Sequence, residues 1–167
     1  QFCIAKSGKT ATIVVDVDDW KGVLMAARNL GDDVRKVTGV SSQVNMQSPT
    51  SAGLLPHERQ NLKAFILVGT IGKSRIIDEL IKQRKIDVRQ VKGQWESYLI
   101  GVVDGNLVIA GSDKRGTIYG IYDLSERIGV SPWYWMADAP VKHQDELYYD
   151  GGRFVQPSPK VKYRGLF

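Results

Sequence analysis

Leu107-Val-Ile-Ala-Gly-Ser-Asp-Lys-Arg-Gly-Thr-Ile-Tyr-Gly-Ile-Tyr-Asp-Leu-Ser-Glu-Arg-Ile-Gly-Val-Ser-Pro-Trp-Tyr-Trp-Met-Ala-Asp-Ala-Pro140 is the stretch that decides the fold. Leu107 to Ala110 is a short apolar run, the signature of a strand buried on both faces. Gly111 to Gly116 is a polar turn in which Ser112 or Asp113 can cap a helix. From about Thr117 to Ile128, the residues Ile118, Ile121, Tyr122, Leu124 and Ile128 fall near one face at a 3.6-residue period, which predicts that helix. Gly129 stands where a left-handed cap is expected, and Pro132 blocks any continuation. Trp133, Tyr134 and Trp135 follow in a loop.

The same strand-then-helix grammar extends toward the N-terminus. Thr10 to Val17 carries the β-branched run Thr12-Ile-Val-Val15 and predicts a strand. Asp18 or Asp19 is placed to cap a helix from about Trp20 to Val37. Its stripe is Trp20, Leu24, Ala27, Leu30, Val34 and Val37, and Gly39 ends it. Ser42 to Met46 reads as a short strand, Gln47 to Gln60 as a polar loop with Pro49 and Pro56, and Lys63 to Gly69 as a buried strand. A helix from about Lys73 to Gln83 turns Ile76, Ile77, Leu80 and Ile81 inward. Trp95 to Val103 and Leu107 to Ala110 form a hairpin around Asp104-Gly105. This order predicts an α/β fold: a mixed, largely parallel sheet with flanking helices. After Pro140 the chain is loop-rich, with short strands expected at Glu146 to Asp150 and Arg153 to Gln156. The expected division is an α/β domain over 1–140 and an extended linker over 141–167.

Composition narrows the function classes. The chain has 167 residues, 43% of them apolar, enough for one core. Its net charge of +5 comes from scattered Lys and Arg, with clusters only at Lys82 to Lys85 and Lys160 to Arg164, so no nucleic-acid face is expected, and no apolar run approaches the length of a membrane span, so no membrane partner is expected either. One cysteine, Cys3, allows no internal disulfide and no cysteine-built zinc site. His57 and His143 each stand alone in loop sequence with no second ligand at metal spacing, so no metal and no cofactor are expected. The chain begins with Gln1 rather than Met, as a processed or excised chain does, and shows no leader pattern.

Three segments carry candidate chemistry. Val68-Gly-Thr-Ile-Gly-Lys-Ser74 sits between a strand and a helix, but only Thr70 and Ile71 separate its glycines, too few to wrap a triphosphate. A tight turn is the preferred account, with anion binding at the helix start as the alternative. In Gly111 to Gly116, Lys114 or Arg115 offers a cation to a carboxylate, such as a uronic acid, or to a partner domain. A structural turn is the competing and preferred account. Trp133, Tyr134 and Trp135 suit either a sugar platform or a domain interface, the latter preferred. Asp16, Asp18 and Asp19 follow the first strand, where capping and solvation account for them. Asp138, Asp145 and Glu146 give no assignable pair of glycosidase carboxyls.

Gly111-Ser-Asp-Lys-Arg-Gly116, Tyr119-Gly120 and Ser131-Pro-Trp-Tyr-Trp135 resemble the end of the N-terminal domain of glycoside hydrolase family 115, the xylan α-1,2-glucuronidases. Lys160-Val-Lys-Tyr-Arg-Gly-Leu-Phe167 is similar to the entry into that family's first barrel strand. The resemblance is specific over the last third of the chain and loose over the first hundred residues. It implies an N-terminal domain like those before the barrels of families 20 and 67, with catalysis in a (β/α)8 barrel beyond Phe167. It further implies a parent that removes (4-O-methyl)-glucuronic acid side chains from glucuronoxylan and aldouronic acids, in the periplasm or secreted. The domain itself is then expected to be inactive, to support its own barrel through Lys114, Arg115, Trp133, Tyr134 and Trp135, and to form a homodimer when that face is exposed. The rival readings are a free-standing carbohydrate-binding module, a nucleotide- or phosphate-binding domain using Gly69 to Ser74, and an interaction domain without a ligand.

Overall fold

The computed structural model describes residues 1–47, 64–134 and 139–161. Its strands are β1 (Phe2–Lys6), β2 (Lys9–Thr10), β3 (Thr12–Asp16), β4 (Val44–Gln47), β5 (Phe65–Thr70), β6 (Tyr98–Val103), β7 (Asn106–Gly111), β8 (Leu147–Tyr149) and β9 (Phe154–Gln156). Its helices are α1 (Lys21–Thr38), α2 (Arg75–Lys82) and α3 (Lys114–Arg127). The main sheet has the order β4-β3-β5-β7-β6-β9. The four strands β4, β3, β5 and β7 are parallel, while β6 and β9 add antiparallel at the edge. The sheet is thus mixed and largely parallel, with flanking helices. The expected loop with Pro49 and Pro56, His57, Trp135, Asp138 and the tail from Lys162 lie outside the described residues.

Side-chain alternation divides the core in two. Ile13, Val15, Ile66, Val68, Leu107 and Ile109 point to the face covered by α1 and α3. Val14, Phe65, Leu67, Val108 and Ala110 point to the face covered by α2. A period of two along β3, β5 and β7 therefore builds both layers. The hairpin turns at Asp104 and Gly105, both at positive φ (48° and 75°), the geometry of a tight two-residue turn. Helix α3 ends in a Schellman arrangement: Val130 N–H donates to Ser125 O and Gly129 N–H to Glu126 O, with Gly129 at φ 104°.

Several expectations change in the structure. The first residues, to which the sequence assigned no element, form the strand Phe2–Lys6, because β1 pairs with β2 and β8 in a second, three-stranded sheet. After Pro140 both expected short strands form, β8 in that sheet and β9 in the main one, but they are built into the fold, with Leu147 and Tyr149 buried in the core. Helix α3 starts at Lys114, three residues early, because Asp113 caps it through Gly116 N–H at 2.7 Å. Tyr122 is 44% exposed and takes a hydrogen bond from Asn29; Thr117, Gly120, Ile121 and Leu124 form the inward stripe instead. Trp20 leaves the α1 stripe as well. It occupies the extended position before the helix and is 47% exposed, and neither Asp18 nor Asp19 provides that helix with a side-chain cap.

Candidate functional site

The carboxyl ends of β3, β5 and β7 meet at one edge of the sheet. Here α1 leaves toward one face and α2 toward the other. In open α/β sheets such a divergence leaves a crevice that ligands use. Two glycines let the helices start close to the strands. A Cβ on Gly69 would lie 2.4 Å from the Ser74 side chain, and one on Gly111 2.1 Å from Thr117 N.

Beneath the edge lies a buried polar network. The Asp19 carboxylate accepts Thr70 N–H at 2.8 Å, the Thr70 hydroxyl at 2.9 Å and Trp20 N–H at 2.7 Å. The Thr70 hydroxyl also meets that of Thr117 at 2.8 Å. This joins the ends of β3 and β5 to the first turn of α3. Burial pushes the Asp19 carboxyl above its ordinary value; the three hydrogen bonds oppose the rise without cancelling it, and the charge of Asp16 adds to it. Asp16, fully buried, behaves in the opposite way. Burial raises it, but Arg75 grips it through its backbone N–H, Nε and Nη2, and Asp18 N–H adds a further bond. The sum holds Asp16 below the usual carboxylate range. Arg75 also bonds Asp18. Asp113 is engaged by Gly116 N–H and Glu96 N–H. All four carboxylates therefore have structural partners.

Above this network opens a cleft of about 450 Å³, bordered by Trp20, the turn Thr70 to Lys73, and Ser112 to Lys114. Lys73 Nζ stands 5.1 Å from the centroid of the Trp20 ring. The backbone of the Thr70 turn is not available to an anion. Ile71 N–H donates to Gly111 O, Gly72 N–H to Asp78, Lys73 and Ser74 N–H to Thr70 O, and Arg75 N–H to Asp16. This is the physical reason that Gly69 to Ser74 forms a tight turn and no phosphate cradle.

The residues singled out in the sequence do not converge. Lys114 lines this cleft. Arg115, one residue on, bonds the buried Glu96 at 2.9 Å. Tyr134 lies at the other end of α1, where Lys36 Nζ sits 4.8 Å from its ring centroid. Fifteen residues of helix separate Lys21 from Lys36, about 22 Å at ~1.5 Å per residue. Trp133, beside Tyr134, is 62% exposed. Lys114 and Tyr134 thus occupy opposite ends of the domain. Trp20 and Lys73 also border the cleft: the sequence placed Trp20 only in a helical stripe, and Lys73 only within the Gly69 to Ser74 turn and its anion-binding alternative. The usable signal was an aromatic four residues after the end of the first parallel strand.

Among the described residues, no group of three or more His, Cys, Asp or Glu could hold a metal ion, and no helix is long and apolar enough to cross a membrane. Cys3 is a half-buried free thiol.

Comparison with known proteins places this geometry. The profile described as "Glycosyl hydrolase family 67 N-terminus" matches residues 5–124. Among solved structures, the chain is similar to BtGH115A, described as a family GH115 4-O-methyl-α-glucuronidase with specificity for decorated arabinogalactans. The TM-score is 0.75 at 30% identity, covering 98% of this chain and 19% of that one. The likeness to family 115 thus runs over nearly the whole chain, beyond the last third that carries its motifs. A search of curated proteins finds no match. The chain spans about a fifth of the glucuronidase it resembles, and by the match over 5–124 it belongs to the family of glycosyl hydrolase family 67 N-terminal domains.

Proposed function

We propose that this domain is the non-catalytic N-terminal module of an α-glucuronidase, which packs on and supports a catalytic barrel encoded after it. The observation that carries the reading is the likeness of 98% of the chain to one fifth of a 4-O-methyl-α-glucuronidase. The engagement of Asp16, Asp18, Asp19 and Asp113 with structural partners supports it, because glycoside hydrolysis needs two carboxyls free to act on a sugar. The parent enzyme removes (4-O-methyl)-glucuronic acid side chains from a polysaccharide by general acid–base hydrolysis. Such a polymer lies outside cells, which favours a periplasmic or secreted enzyme. Trp133 and Tyr134, at the end of α1, are the residues of this module proposed to meet the barrel.

Glucuronoxylan is the substrate implied by the sequence motifs, and glucuronidated arabinogalactan the one suggested by the structural relative. The protein encoded by the full reading frame should be incubated with each polymer, and released sugar acid quantified by anion-exchange chromatography. Release of 4-O-methylglucuronic or glucuronic acid from either polymer is expected, and the faster substrate names the specificity. No release from both would overturn the enzyme reading and leave a free-standing carbohydrate-binding or interaction module.

A further inference from the structure

We propose that the cleft between Trp20, Lys73 and Lys114 binds a uronic acid residue, its pyranose face on the Trp20 ring and its carboxylate between the two lysines. Three separate loops bring these side chains to one opening: Trp20 follows β3, Lys73 follows β5 and Lys114 follows β7. The volume, about 450 Å³, lies within the ~300–1,000 Å³ common for small-molecule clefts.

The chemistry of the opening selects the ligand class. Trp20 keeps 47% of its surface exposed, and its electron-rich face suits the C–H groups along one side of a pyranose. Lys73 already holds a positive charge against that ring, and Lys114 lies across the cleft on the first turn of α3. The acidic side chain on the rim, Asp113, is turned to the amides of Gly116 and Glu96. The rim therefore presents net positive charge beside an aromatic surface. A polyphosphate fits less well, because the amides that would cradle it are bonded internally from Thr70 to Arg75. Two side-chain ammonium groups match a single carboxylate carried on a ring. The choice of a uronate among anionic sugars rests on the glucuronidase reading above. A module with such a cleft holds a substituted chain through a side group that the barrel does not cleave at that moment.

The test is titration of the protein with methyl α-D-glucuronide, followed by backbone chemical shifts and tryptophan fluorescence. Methyl α-D-glucoside, inorganic phosphate and ATP serve as competitors. Saturable shifts confined to residues 18–20, 70–74 and 112–116 are expected, with the glucoside weaker by roughly tenfold or more. Lys73→Gln combined with Lys114→Gln should weaken glucuronide binding by roughly tenfold while leaving the fold's spectrum intact, since both side chains are exposed. Trp20→Ala should remove the fluorescence change. Equal affinity for glucoside and glucuronide, tighter binding of ATP or phosphate, shifts centred on Trp133, or no saturable shift would each overturn the proposal. Hydrolysis by the full-length protein is measured separately, so a silent cleft in an active enzyme sinks only this assignment. A cleft that binds within a protein that never hydrolyses glucuronides sinks only the enzyme reading.

Discussion

Gly111→Ala is the sharpest probe of how this fold brings its helices onto the sheet. Gly111 ends β7, and the added Cβ would lie 2.1 Å from Thr117 N, 2.3 Å from Thr117 Oγ1 and 2.5 Å from its Cα. Unstrained contacts between heavy atoms lie near 3.5–4.0 Å, so the first turn of α3 must lift by more than ~1 Å. Thr117 is fully buried and its hydroxyl meets that of Thr70, so the lift also pulls on the network that ends at Asp19. Overpacking costs typically 1–3 kcal/mol and more against rigid backbone, so a loss of about 3 kcal/mol is expected. For a chain of this size that corresponds to a Tm fall of roughly 6–12 °C. Gly101→Ala is the matched control. Its Cβ would meet Arg153 at 3.7–3.8 Å, ordinary contact distance, and alanine restricts the unfolded chain, so a change between zero and about +1 kcal/mol is expected. Urea denaturation of both variants gives the two values. A Gly111→Ala protein within 1 kcal/mol of the parent would refute the close-approach reasoning.

Other predictions address separate parts of the fold. Asp19→Asn leaves one acceptor oxygen where two serve Thr70 and Trp20, and should cost ~1–3 kcal/mol by urea denaturation; no change would show that the buried network is dispensable. Asp16 has its folded pKa below the unfolded value, so its contribution is present above the unfolded pKa and is lost as pH falls through the folded one. The stability gap between wild type and Asp16→Asn should therefore narrow as pH drops below about 4, and a gap constant down to acid pH would contradict the assignment. Leu147→Ala empties a core position on β8 and should cost roughly 2–4 kcal/mol, whereas a segment merely draped on the surface would tolerate it.

The elements legible in the sequence were those set by local chemistry. The apolar period of α1, the β-branched run of β3 and the Asp104-Gly105 turn each specify their element without reference to distant residues. The N-terminal strand was not legible, because Phe2–Lys6 becomes a strand by pairing with Leu147–Tyr149 across almost the whole chain. Trp20 misled because helical periodicity continues one residue past the point where the backbone turns extended. The candidate site was half visible. Lys114 was named from its turn, but its neighbours come from two other loops that only the strand order β3-β5-β7 brings together. The separation of Lys114 from Tyr134 likewise depends on which end of α1 each one meets.

The central claim is that this module carries no catalytic machinery of its own. Its most direct test is the turnover of a purified aldouronic acid by residues 1–167 alone, run beside the protein encoded by the full reading frame at equal molarity. We predict release of the uronic acid by the full-length protein and none by the isolated domain. Turnover by the isolated domain would contradict the claim and put the active site within these residues.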